Sequence, residues 1–76
     1  MHMPFVTTVA FAGRDGTSTN LQYGVSAGTE AQARTEIQRR LINQEICNYS
    51  IVEVRRATHD EAKLLNLPAG SIKLLN

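Results

Sequence analysis

The sequence predicts an α+β domain of ββαβ(α) order: a three- to four-stranded, mainly antiparallel sheet, one long helix on one face, and a short C-terminal helix. Three observations predict it. Leu21, Tyr23, Val25 and Ala27 alternate with Asn20, Gln22, Gly24 and Ser26, the period of a strand with one buried face. Thr29-Glu30-Ala31-Gln32 then reads as a capping box, in which the threonine hydroxyl and the glutamine side chain satisfy orphan N–H groups at a helix start. After the helix comes a β-branched run, from Ile51 to Arg56.

In the first strand, Phe5, Thr7, Val9 and Phe11 share one face, and Val6, Thr8, Ala10 and Ala12 form a smaller, still largely apolar opposite face. A strand apolar on both sides belongs in the middle of a sheet. Gly13-Arg14-Asp15-Gly16, with Thr17 and Ser18, is a turn whose Asp-Gly pair suits the positive φ of a hairpin. The helix runs from about Glu30 to about Ile46, with Glu30–Arg34 and Glu36–Arg40 spaced as i,i+4 pairs. Its apolar residues fall on two stripes, Ala33/Ile37/Leu41 and Ala31/Ile42/Ile46, and one sheet covers only one of them well.

The third strand spans Ile51 to Arg56, with Val52 and Val54 pointing one way and Ile51, Glu53 and Arg55 the other. Thr58-His59-Asp60-Glu61 is a second capping box, opening a short helix through Leu65 that Asn66 and Pro68 stop. Pro68-Ala69-Gly70-Ser71 is a turn, and Ile72 to Leu75 is a short fourth strand or a docked tail. A helical crossover that skips strand one makes every neighbouring pair antiparallel, in spatial order 2-1-3. The expected core is Phe5, Val9, Phe11, Leu21, Tyr23, Val25, Ile37, Leu41, Val52 and Val54.

Seventy-six residues make one small domain, 1–76, in which Met1-His2-Met3 reads as a start followed by a cloning remnant. With 42% hydrophobic and 20% charged residues the chain is foldable rather than disordered. A net charge of +1 gives no long-range field to draw in nucleic acid. The apolar run from Phe5 to Ala12 has no preceding Lys or Arg and is too short for a leader or a membrane span. Cys47 is the only cysteine, which excludes an internal disulfide and fits the reducing cytoplasm.

Catalytic material is sparse. Once His2 is set aside, His59, Asp15, Asp60 and Cys47 form no triad or dyad by sequence, so no catalytic residue is expected, and a small enzyme, the second alternative, would require His59 and Cys47 to meet in a cleft. Cys47 falls at a helix C-terminus, where the dipole opposes thiolate formation. No Cys or His pair has ligand spacing, so neither a metal nor another cofactor is expected. Gly13-x-x-Gly16 superficially resembles the backbone-clamping loop of KH RNA-binding domains, but that loop joins helices and this one joins strands. Glu61 to Ser71 resembles the helix-turn-strand segment of ligand-sensing domains in some GntR-type bacterial repressors, a likeness of eleven residues from which no site or function follows.

Two binding functions remain. The leading one is a non-enzymatic interaction module, as small bacterial or phage accessory proteins often are, contacting a protein partner or a second copy in a weak homodimer. Its candidate surface is Ala31, Ile42 and Ile46 with Gln22 and Gly24 on strand two, which has neither charge nor proline to guard an open edge. The apolar surplus also includes Val6, Ala10 and Ile51, and the tail leucines and isoleucine, Leu64, Leu65, Leu67, Ile72, Leu74 and Leu75, compete with a partner to cover it. The alternative is a nucleic-acid-binding module using Arg14, Arg34, Arg39, Arg40 and Arg55, without aromatics for base stacking.

Overall fold

A computed structural model describes residues 3–13, 15–46, 48–65 and 71–75. The expectations for His2, Arg14 and Cys47, for Leu67, and for the stop at Asn66 and Pro68 with its turn lie outside the described residues. The elements run β1 (Met3–Ala12), β2 (Ser18–Ala27), α1 (Glu30–Asn43), β3 (Tyr49–Arg56), α2 (His59–Leu64) and β4 (Ile72–Leu74). They form one antiparallel sheet in the order β3-β1-β2-β4. The expected 2-1-3 order is contained in it, and β4 adds a fourth strand beside β2.

β1 pairs with β2 over its whole length, from Met3 opposite Ala27 to Ala12 opposite Ser18. The turn between them is closed by Gly13 N–H donating to Thr17 O (2.7 Å), while the Asp15 carboxylate accepts from the Thr17 hydroxyl (2.6 Å) and amide (3.2 Å). Those bonds hold the Asp15 carboxyl below its ordinary range. Gly16 takes the positive φ, +84°, that the Asp-Gly pair promised.

α1 crosses one face of this sheet and closes the core: Phe5 and Val9 from β1, Val25 and Ala27 from β2, Ala33, Ile37 and Leu41 from the helix. Phe11, Tyr23 and Val54 pack half-buried against it, and Leu21 is half-buried. Thr7 shares this face, fully buried, and its hydroxyl oxygen has no hydrogen-bond partner. At the helix start the Thr29 hydroxyl accepts from Gln32 N–H (3.1 Å), and Gln32 Oε1 accepts from the amide of Gly28, one residue before the cap (2.9 Å). Neither i,i+4 pair forms; Glu36 meets Arg39 instead, at 3.9 Å.

Two local irregularities correct the sequence reading. Glu53 pairs with Thr8 but Ile51 with Val9, so Val52 is an extra residue in β3, a bulge. The bulge resets the alternation: Ile51 joins Val54 on the core side, and Val52, expected in the core, is 61% exposed. The helix ends at Asn43, short of Ile46, in a turn where Glu45 N–H donates to Ile42 O (2.9 Å) and Ile46 N–H to Leu41 O (2.9 Å). This is a Schellman motif with Glu45 at its left-handed position, φ 60°. It swings Ile46 off the outer stripe and onto the core.

Replacing Leu41 by Ala is expected to cost about 2–5 kcal/mol, whereas Val52→Ala should change stability by less than about 0.5 kcal/mol. Glu45→Gly relieves a side chain from the left-handed region and should stabilise by about 0.5–1 kcal/mol. Urea unfolding of the three variants checks all of this.

Candidate interaction surface

The two faces of the sheet are covered very differently. On the face away from α1, Val6 pairs with Gly24, and a Cβ at position 24 would run into Leu65, which lies 2.8 Å from it at Cδ1. Leu65 is 4% exposed and Val6 is fully buried, so this leucine, just past α2, plugs the middle of the second face directly over backbone. Any side chain at position 24 would force Leu65 out of this seat.

An ion pair ties α2 to β3. Arg55 donates from both terminal nitrogens to Glu61, Nη1 to Oε1 at 2.7 Å and Nη2 to Oε2 at 2.9 Å. Glu61 Oε1 also accepts from the backbone amide of its own N-cap, Thr58 (2.9 Å), and the Thr58 hydroxyl accepts from Glu61 N–H (3.3 Å). A carboxylate gripped first by the Arg55 guanidinium and then by that amide is pulled down to about 2. Arg55 Nε lies a further 3.4 Å from Glu53.

The rest of the second face includes Thr8, Ala10, Asn20, Gln22, Ser50, Glu53 and the exposed Lys73, with no aromatic among the described residues. It therefore offers no stacking platform for bases. The described candidate arginines do not converge either. Arg34, Arg39 and Arg40 are exposed on α1, while Arg55 lies on the opposite face, engaged by two carboxylates.

On the α1 side the helix packs chiefly on β1, β2 and β3. Leu74 of β4 stands opposite Tyr23, in register with the core-facing Ile72/Val25 pair, and is 53% exposed. Leu21 and Tyr23 beside it are half-buried. Toward the Ala27 end of β2 an open groove of about 420 Å³ separates the strand from the helix, lined by Ser26, Ala27, Ala31, Gln32, Thr35 and Glu36 and ending at Arg39. Its polar groups are largely taken up locally: Gln32 by Gly28, the Thr35 hydroxyl by Ala31 O, Glu36 by Arg39.

The residues singled out in the sequence are thus dispersed. Ala31 lines the groove, Ile42 points outward from α1 at 64% exposure, and Ile46 packs on the core. Gly24 lies under Leu65, and Gln22 O accepts from Leu75 N–H (2.8 Å) as β4 covers that stretch of β2. Leu74 and Tyr23 were missed as a surface because nothing in the sequence shows that β4 falls outside the helix. Among the described residues no group of acidic, His or Cys side chains is arranged to hold a metal, and no helix is long and apolar enough to cross a membrane. Compared with known proteins, the chain matches no family model, no curated sequence and no solved structure.

The Glu61 carboxyl sits lower in the folded chain than its ordinary 4.5, so its contribution is complete above that value and fades as pH falls from 4.5 toward 2. Glu61→Gln should therefore lower the urea midpoint at pH 7, and the gap between variant and wild type should close by about pH 2. Urea titrations of both proteins across that window are the measurement.

Proposed function

We propose that the protein is a non-enzymatic interaction module that receives a protein partner on the α1 side of the sheet, along β2 and β4. The observation that carries this reading is Leu74, about half exposed beside half-buried Tyr23 and Leu21 at the margin of the helix. Four strands at about 4.8 Å spacing span roughly 14 Å between outer axes, and one helix is about 10 Å wide. A single helix leaves one margin of such a sheet short of cover, and the groove at Ala27 continues that margin. An apolar strip with a polar rim is the usual make-up of a protein contact. A lone cysteine suits work in the reducing cytoplasm, as expected of a small accessory protein.

Leu74 is exposed, so Leu74→Asp leaves the fold intact, and Ile42→Asp serves as a control on an unrelated surface. Affinity capture from the source organism, with sedimentation over a wide concentration range for self-association, should show an association that Leu74→Asp abolishes and Ile42→Asp keeps. Equal association in all three proteins, or none in any, rejects the reading.

A further inference from the structure

We propose that Asp15-Gly16, at the tip of the β1–β2 hairpin, is a site of spontaneous aspartyl isomerisation at which the Thr17 hydroxyl sets the rate. This does not rest on the partner surface proposed above. Asp15-Gly16 is the only Asp-Gly or Asn-Gly pair in the chain. The reaction needs water and no other reagent. The Gly16 amide nitrogen attacks Asp15 Cγ, and the new C–N bond closes a five-membered succinimide. The hydroxyl of the neutral carboxyl leaves with the amide hydrogen as water. A second water then reopens the ring. Attack at Cγ restores aspartate, whereas attack at the main-chain carbonyl carbon of residue 15 leaves the backbone running through its side chain, as isoaspartate.

Two features of the turn admit this chemistry. Asp15, Gly16 and Thr17 are exposed, so water reaches all three. Gly16 has open space where a Cβ would stand and a φ of +84°, so no side chain shields its nitrogen. Three hydrogen bonds oppose it. Asp15 Oδ1 accepts from the Thr17 hydroxyl (2.6 Å) and the Thr17 amide (3.2 Å), which turns the carboxyl toward residue 17. The Gly16 amide donates to Gly13 O (3.3 Å), so the attacking nitrogen is itself engaged. Only the neutral acid releases a hydroxyl, and both Thr17 bonds favour the anion, the hydroxyl bond more than the amide bond. That hydroxyl is also the shortest of the three and the one donor supplied by a side chain. Isomerisation undoes the arrangement, because the carboxylate moves onto Cα and the backbone between residues 15 and 16 gains a carbon. The bond that closes the turn, Gly13 N–H to Thr17 O at 2.7 Å, spans that lengthened stretch.

Ageing at neutral pH, followed by digestion and chromatographic separation of the peptide containing residue 15, measures the isoaspartate formed. Each protein is aged folded and, in parallel, unfolded in guanidinium chloride, and its folded rate is read against its own unfolded rate. Wild type should isomerise severalfold more slowly folded than unfolded. Thr17→Val keeps the branched shape and the amide but lacks the hydroxyl, and Thr17 is exposed and precedes β2, so the core is untouched. The folded variant should lose most of that protection, and Thr17→Ser, which keeps the hydroxyl, should retain it. The proposal is overturned if unfolded wild type forms no isoaspartate at residue 15, if folded wild type forms it as fast as the unfolded chain, or if folded Thr17→Val is as protected as wild type. Loss of protection in Thr17→Ser overturns it too, since the hydroxyl would then not be the group that sets the rate.

Discussion

β1 is buried from both sides, and the rest of the molecule is arranged around that constraint. Phe5 and Val9 must be covered on one face and Val6 on the other, while neighbours on both edges take up the backbone groups. A chain of this size has too little material for two full layers. It spends its one long helix on the larger set, where Ala33, Ile37 and Leu41 meet Phe5, Val9 and Val25. Among the described residues the smaller face receives one buried side chain, Leu65, seated directly over Gly24.

That economy explains where the charges go. Leu65 reaches its seat only if α2 is held over the sheet, and a helix of six residues does not hold its own shape by propensity. The Arg55–Glu61 fork, reinforced by the Thr58 cap, fixes the start of α2 to β3. Arg55 thus works as a structural tether, on the face of the sheet opposite the exposed α1 arginines. The other irregularity of β3, the bulge at Val52, bends the edge strand next to charged Glu53, Arg55 and Arg56, so this edge is guarded in ways that β2 is not.

Period and capping chemistry made the elements, their order and the central place of β1 legible in the sequence. The alternation of Leu21 to Ala27 and the Thr29 and Thr58 caps report backbone geometry directly, so these readings transfer to the structure. The departures share one cause, a local break in periodicity. The bulge moves Ile51 inward and leaves Val52 exposed, and the Schellman turn at Glu45, a residue that does not advertise a left-handed conformation, brings Ile46 back to the core. The candidate surface suffered most, since Ile46 and Gly24 were assigned to it from uninterrupted helix and strand patterns. Leu65 over Gly24 is a contact between residues 41 positions apart, visible only once the sheet is assembled.

The five-residue turn of residues 13–17 has a bearing on how such a chain assembles. Ten register pairs grow from it by closing one short loop, so the longest ladder in the molecule is also the one that demands the least chain entropy to start. β3 pairs with β1 across 38 to 51 positions of sequence, and β4 with β2 across 47 to 51. Topology therefore ranks the strands by the sequence distance they must bridge, and the ranking runs from the amino-terminal hairpin outward to the two edges.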